Sequence, residues 1–430
     1  MICFFFYLWC SFDHLYIHLH NDCNYDKMNL NKILTTVLFA VLATTLKAQP
    51  TLADLPRLVA DTTYTPFRHQ LRLEAQPAFI FQTHEFFRGY NEKNVRIAKS
   101  LAGQVKYAFQ LPENSQAAAV YRDSYQGIGV GCFSFFEPKS LGTPFAVYAF
   151  QGGPMARLSD RLTFDYEWNF GASFGWKKFN ETTNPYNNVI GSKINAYMNA
   201  NIYLNWQIAS QWTLIAGIEA THYSNGNSNY PNAGVNTAGG RIGLVRTFGA
   251  EESKKKSSHI GKSAIEGSPF SYDLIVYGAT RRRGIIWPDE KYLIPGTFGV
   301  VGLNFNPLYR INKYFRAGLS LDAQYDESAN LKNHLAGTDY TVNEKKFYRP
   351  PFREQFAVGV SVRAELTMPI FSINFGIGHN LFYKGEDTEG FYQILALKTF
   401  VTPRLFLHTG YQLSKFKDPN NLMLGLGYRF

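Results

Sequence analysis

Cysteine is almost missing from this 430-residue chain: there are four, and Cys3, Cys10 and Cys23 all precede residue 48. Cys132 alone follows, so the chain beyond the leader cannot close an internal disulfide, and a disulfide-built scaffold is excluded. Cys132 reads as a small apolar strand residue rather than a reactive thiol. Long apolar runs are scarce too. Beyond residue 48 nothing approaches 18 consecutive apolar residues, which excludes helical membrane spans. No Cys/His cluster with zinc spacing occurs, and His84-Glu85 and His379 lack partners at metal spacing, so neither metal nor cofactor is expected. Gly127-Ile-Gly-Val-Gly131 imitates a nucleotide loop, but no helical pattern follows it and it reads as a glycine-lined strand.

The first 48 residues read as a leader. Residues 1–27 fit no targeting pattern and read as an over-extended start. Met28 opens a secretory signal (28–48): a polar, basic lead, the apolar run Ile33–Leu46, then Lys47-Ala48-Gln49 with a cut after Ala48. The apolar run is too short to span a bilayer comfortably. Residues 49–76 read as a periplasmic N-terminal segment. The formal charge of +10 belongs to the chain behind the leader and suits anionic partners, lipid phosphates included. Export disfavours nucleic acid.

What the chain has in abundance is alternation with period two. In 162–176 the even residues are Leu162, Phe164, Tyr166, Trp168, Phe170, Ala172, Phe174 and Trp176, and the odd ones include Asp165, Glu167 and Asn169. The same pattern runs through 315–325, 356–368 and 371–377. A soluble sandwich would also alternate. Long strands, 16% aromatic residues and a final alternating strand ending in Phe430 favour an all-β fold, a transmembrane antiparallel up-and-down β-barrel. The barrel is expected over 77–430, in the bacterial outer membrane. Its closing strand resembles the terminal signature that the barrel assembly machinery recognises. Strands are expected near 77–88, 101–110, 127–137, 142–153, 161–176, 193–208, 211–224 and 236–248. A second set falls near 271–282, 296–309, 314–325, 355–368, 370–383, 390–401, 404–416 and 421–430. That makes about 16, with 12 as the lower bound, and a lumen wide enough for water. The Glu251–Lys262 stretch, with Lys254-Lys255-Lys256, reads as a solvated link between the halves.

Chemistry concentrates in 222–236. His222 and Ser224 are two apart on one strand, so they share a face. That face also carries Leu214, Ala216, Ile218 and Ala220, the side a barrel turns to lipid. The segment His222-x-Ser224-Asn225, then Pro231-Asn232-x-Gly234, then Asn236 resembles the motif of the outer-membrane lipid A 3-O-deacylases, or acyloxyacyl hydrolases. The resemblance is specific over about 15 residues and weaker over roughly 79–248. It implies an eight-stranded unit, a site on the outer wall of the barrel, and a hydrolase that removes a 3-hydroxyacyl chain from lipid A. His222 would be the base and Ser224 the nucleophile, with backbone N–H groups near Asn225 and Gly226 holding the oxyanion. Pro231, Asn232 and Gly234 would support the motif. Asn236 stands where the family carries an acid: its carbonyl can orient the imidazole but supplies no charge. Asp165, Glu167 and Glu219 fall on the inward face, where basic partners are expected. Two other readings fit the pattern: a passive outer-membrane pore, and an inactive lipid-binding barrel.

Overall fold

The computed structural model describes residues 68–430 apart from 111–120, 122, 249–267, 287–290, 295, 337–345, 386 and 416–417. The expected leader, its cut after Ala48 and the Lys254–Lys256 run lie outside the described residues. No described helix is long and apolar enough to cross a membrane.

Sixteen strands form two closed barrels of eight. The first barrel comprises β1 (Arg68–Ile80), β2 (Lys99–Gln110), β3 (Tyr125–Ser134), β4 (Gly142–Ser159), β5 (Leu162–Trp176), β6 (Ile194–Gln207), β7 (Trp212–Ser224) and β8 (Val235–Phe248). The second comprises β9 (Phe270–Arg281), β10 (Phe298–Arg310), β11 (Phe315–Asp326) and β12 (Phe356–Thr367). It continues through β13 (Phe371–Phe382), β14 (Phe391–Phe400), β15 (Leu405–Ser414) and β16 (Asp418–Arg429). Each strand pairs antiparallel with its sequence neighbour. β8 then returns to β1, with Ala75 opposite Ile242, and β16 returns to β9, with Leu424 opposite Gly278.

The strand total agrees with the alternation, but the closure differs. One sixteen-stranded wall needs β8 to pair with β9 and β16 with β1, and both edges are already spent within their own halves. The wide lumen disappears as a result, because an eight-stranded interior is just wide enough for side chains. Aromatic residues such as Tyr148, Tyr197, Tyr223 and Trp176 occupy one part of the first interior. Below them Lys106 Nζ lies 2.6 Å from Glu167 and 2.9 Å from Glu74, while Arg241 reaches the same two carboxylates at 3.0 and 2.7 Å. The second interior pairs Asp273 and Glu365 with Lys398 and Arg429.

β1 begins at Arg68 rather than near 77. Its inward positions are Arg72, Glu74 and Gln76, all buried, so the segment imitates polar loop while it serves the ion cluster. Outward, Leu73 and Phe79 are 64% and 70% exposed, and Leu319 and Val362 play the same part on the second barrel. An apolar exterior around a charged interior suits a surrounding of lipid. Gly127, Gly129 and Gly131 do line a strand, β3; a Cβ at Gly129 would fall 2.4 Å from the Tyr148 ring, so the glycine makes room for that aromatic.

The two barrels touch along their outer walls. Trp168 Nε1 donates to Met368 Sδ at 3.2 Å, and its ring meets Phe371 edge-on with centroids 4.9 Å apart. Phe371 and Leu397, outward on the second barrel, are buried against Phe170 and Trp168 of the first. In lipid such contacts stabilise through packing and hydrogen bonds rather than through release of water.

Candidate active site between two barrels

β7 carries the site because its parity is fixed by the interior. Ile215, Glu219, Thr221 and Tyr223 point inward and are buried, so Ile218, Ala220, His222 and Ser224 must point out. β8 lies alongside with Asn236 directly opposite His222. That register brings His222 Nδ1 within 2.6 Å of Asn236 Oδ1. The amide oxygen accepts the Nδ1 proton, which leaves Nε2 as the basic nitrogen.

The loop between β7 and β8 is held by its own amides. Asn225 N–H donates to Asn232 Oδ1 at 2.9 Å, and Asn225 Nδ2 donates to the Asn229 and Pro231 carbonyls. Gly226 and Asn227 both have φ of +63°, a region that glycine and asparagine tolerate best. Gly234, with φ +71°, sits where a Cβ would lie 2.8 Å from the Tyr223 carbonyl, 3.4 Å from His222 Cε1 and 3.6 Å from Ser224 Cβ. The imidazole and the Ser224 Cβ therefore both border the space beside Gly234. Of the motif, Asn225, Pro231, Asn232 and Gly234 build the loop, and His222, Ser224 and Asn236 share the outward face beside it.

Two expectations need correction. Asn225 N–H is engaged by Asn232 and is no free oxyanion donor; among the described residues the Gly226 N–H has no acceptor. And Ser224, although outward, does not lie on bare wall: it is 6% exposed, covered by Tyr411 of β15. The Tyr411 ring abuts Gly226, so that a Cβ there would fall 2.5 Å from it. The second barrel also reaches the loop through Arg282 N–H, which donates to the Ser228 carbonyl at 3.0 Å. Sequence alone could mark Tyr411 as an outward residue, but packing between barrels leaves no local pattern that would bring it to Ser224.

His222, Asn236 and Tyr411 line an apolar groove of about 380 Å³ between the barrels, walled by Phe81, Trp168, Phe170 and Met198 on one side and Ile373, Leu395 and Leu397 on the other. Glu167 is inward and ion-paired as expected. Asp165 and Glu219 are inward as well, but their partners are neutral: Thr163 and Asn205 for Asp165, Asn199 and Thr221 for Glu219. His84 caps the short helix Glu85–Arg88 by accepting from Phe86 N–H. Cys132 is exposed on the first barrel. Among the described residues no group of His, Cys, Asp and Glu could hold a metal ion.

Two family models match within the two barrels in turn. Residues 102–245 match lipid A 3-O-deacylase (PagL), and residues 270–430 match the acyloxyacyl hydrolase C-terminal domain. The chain belongs to the lipid A 3-O-deacylase family. As a member of that family, with two closed antiparallel barrels, it is an outer-membrane β-barrel protein. No curated protein matches it. Solved structures that are similar include CdiB from Acinetobacter baumannii at 11% identity and a TM-score of 0.19, covering 85% of this chain and 60% of that one. The siderophore receptor PirA from Pseudomonas aeruginosa has 9% identity and a TM-score of 0.25, with 86% and 81% covered. The toluene transporter TbuX from Ralstonia pickettii has 8% identity and a TM-score of 0.17, with 85% and 90% covered.

Proposed function

We propose that this chain is a serine esterase that removes an ester-linked 3-hydroxyacyl chain from lipid A. His222 Nε2 takes the proton of Ser224 Oγ as that oxygen bonds to the ester carbonyl carbon. The carbonyl π pair moves onto its oxygen and returns as the bond to the sugar oxygen breaks, and His222 passes its proton to that leaving oxygen. Water, activated by the same imidazole, then hydrolyses the acyl-serine and frees the fatty acid. Asn236 keeps the imidazole in the tautomer that this sequence of steps requires. The Gly226 N–H stands beside the nucleophile as an oxyanion donor.

The 2.6 Å contact between His222 and Asn236 is the observation that carries this reading, because it holds the imidazole as an oriented base on the face that Ser224 shares. The apolar groove beside it would take the acyl chain directly from the outer leaflet. Lipid A and the outer membrane are the partners this reading requires, and engagement of the terminal strand at Phe430 by the barrel assembly machinery belongs to it. Mass spectrometry of lipid A from cells expressing the wild type or Ser224→Ala tests the function. The expected result is loss of one hydroxyacyl chain with the wild type alone. Identical lipid A from both would leave an inactive lipid-binding barrel.

A further inference from the structure

We propose that Tyr411, contributed by the second barrel, donates a hydrogen bond to the oxyanion formed at Ser224 on the first. This rests on Ser224 being the nucleophile. An acyl-transfer oxyanion is best held by two preorganised donors, each aimed at where charge develops. The loop around Ser224 offers fewer than its sequence promises, because the Asn225 N–H is already spent on Asn232 at 2.9 Å. Gly226 remains, and Tyr411 packs on it.

Tyr411 has the properties of the missing donor. It is 7% exposed although it points out from its own barrel, and its hydroxyl faces Ser224 with no other polar partner among the described residues. A buried hydroxyl that makes less than its full set of hydrogen bonds is destabilising, and such groups recur where a ligand supplies the missing partner. This one is turned toward Ser224 and borders the groove that also holds His222 and Asn236. The residue is held in place: its ring edge lies on Gly226, where even a methyl group would collide, and its backbone pairs with Leu395 on β14. A donor that is rigid and dry, and whose one polar neighbour is the nucleophile itself, loses little in reorganising when charge appears beside it. The second barrel would then be a catalytic part of the enzyme, and the first barrel alone would hold an incomplete site.

The test uses the full chain in detergent–lipid A micelles, with wild type, Ser224→Ala, Tyr411→Phe and Tyr411→Gln compared by kcat and KM. Phenylalanine keeps the ring on Gly226 and removes only the donor; glutamine restores an N–H donor. The expected result is a fall in kcat of about 10²-fold for Tyr411→Phe with KM within about twofold, and partial recovery for Tyr411→Gln. Heat-shifted electrophoretic mobility reports whether each barrel has folded, and the glutamine variant still decides the matter should phenylalanine misfold. Wild-type kcat in Tyr411→Phe, or a change confined to KM, would overturn the donor role while Ser224 stands. A wild type no faster than Ser224→Ala would overturn the serine reading itself, and the role of Tyr411 with it.

Discussion

The two barrels share strand number, pairing order and a buried ion cluster, yet they differ at the end of the seventh strand. Both seventh strands stop on a serine: β7 at Ser224 and β15 at Ser414. Ser224 points out, two residues after His222. Ser414 points in, is buried, and donates to Asn420 Oδ1 at 3.0 Å. The second barrel does have a histidine on this strand, His408, but it is buried inside, and neither ring nitrogen has a hydrogen-bond partner among the described residues. A shift of one residue in parity turns an outward serine into an interior one. Scaffold and proposed chemistry are separable here: both halves keep the barrel, and on the seventh strand only the first sets a histidine and a serine together on the outward face.

Substitutions can break that contrast, and the largest effect is expected at the serines. Ser224→Ala should lower lipid A deacylation about 10⁴-fold or more, while Ser414→Ala should leave it unchanged; release of free hydroxy fatty acid measures both. Equal losses would mean that the seventh-strand serines matter for assembly rather than chemistry. His222→Ala should cost about 10³-fold in kcat by removing the base, read in the same assay. Interior charge should matter alike in both halves. Glu167→Gln leaves Lys106, Arg72 and Arg241 to the single carboxylate of Glu74, and should destabilise the first barrel by about 3–5 kcal/mol in urea unfolding. Glu365→Gln should do the same to the second, where Lys398 and Arg429 would share Asp273. Insensitivity of either would show that its cluster is not what holds that interior together. The smallest change expected is a gain. Asn236→Asp keeps the geometry at His222 and adds a negative charge. A charge-assisted hydrogen bond exceeds a neutral one by roughly 1 kcal/mol, so kcat should rise by up to about fivefold. A fall would show that the amide suits this apolar surrounding better than a carboxylate.

Much of this was legible in the residues. Alternation located β2 to β16 within a few positions, because outward apolar side chains repeat every second residue whatever lies inside. β1 escaped at both ends: Arg72, Glu74 and Gln76 look like loop until their partners across the barrel are known, and the expected continuation to 88 is instead a loop and the short helix Glu85–Arg88. Closure into two barrels also escaped, since which edges pair is a long-range matter that strand pattern does not carry. At the site, parity alone put His222, Ser224 and Asn236 on one face. The Asn225–Asn232 bond and the cover provided by Tyr411 depend on loop conformation and on packing between halves, and neither leaves a periodic trace.

A serine-directed fluorophosphonate probe, followed by peptide mass spectrometry, tests the nucleophile most directly. The account predicts a single adduct on Ser224 in the wild type and none in Ser224→Ala or His222→Ala. Lipid A deacylation that persists with Ser224 unlabelled, or an adduct on another serine that abolishes it, would contradict the account.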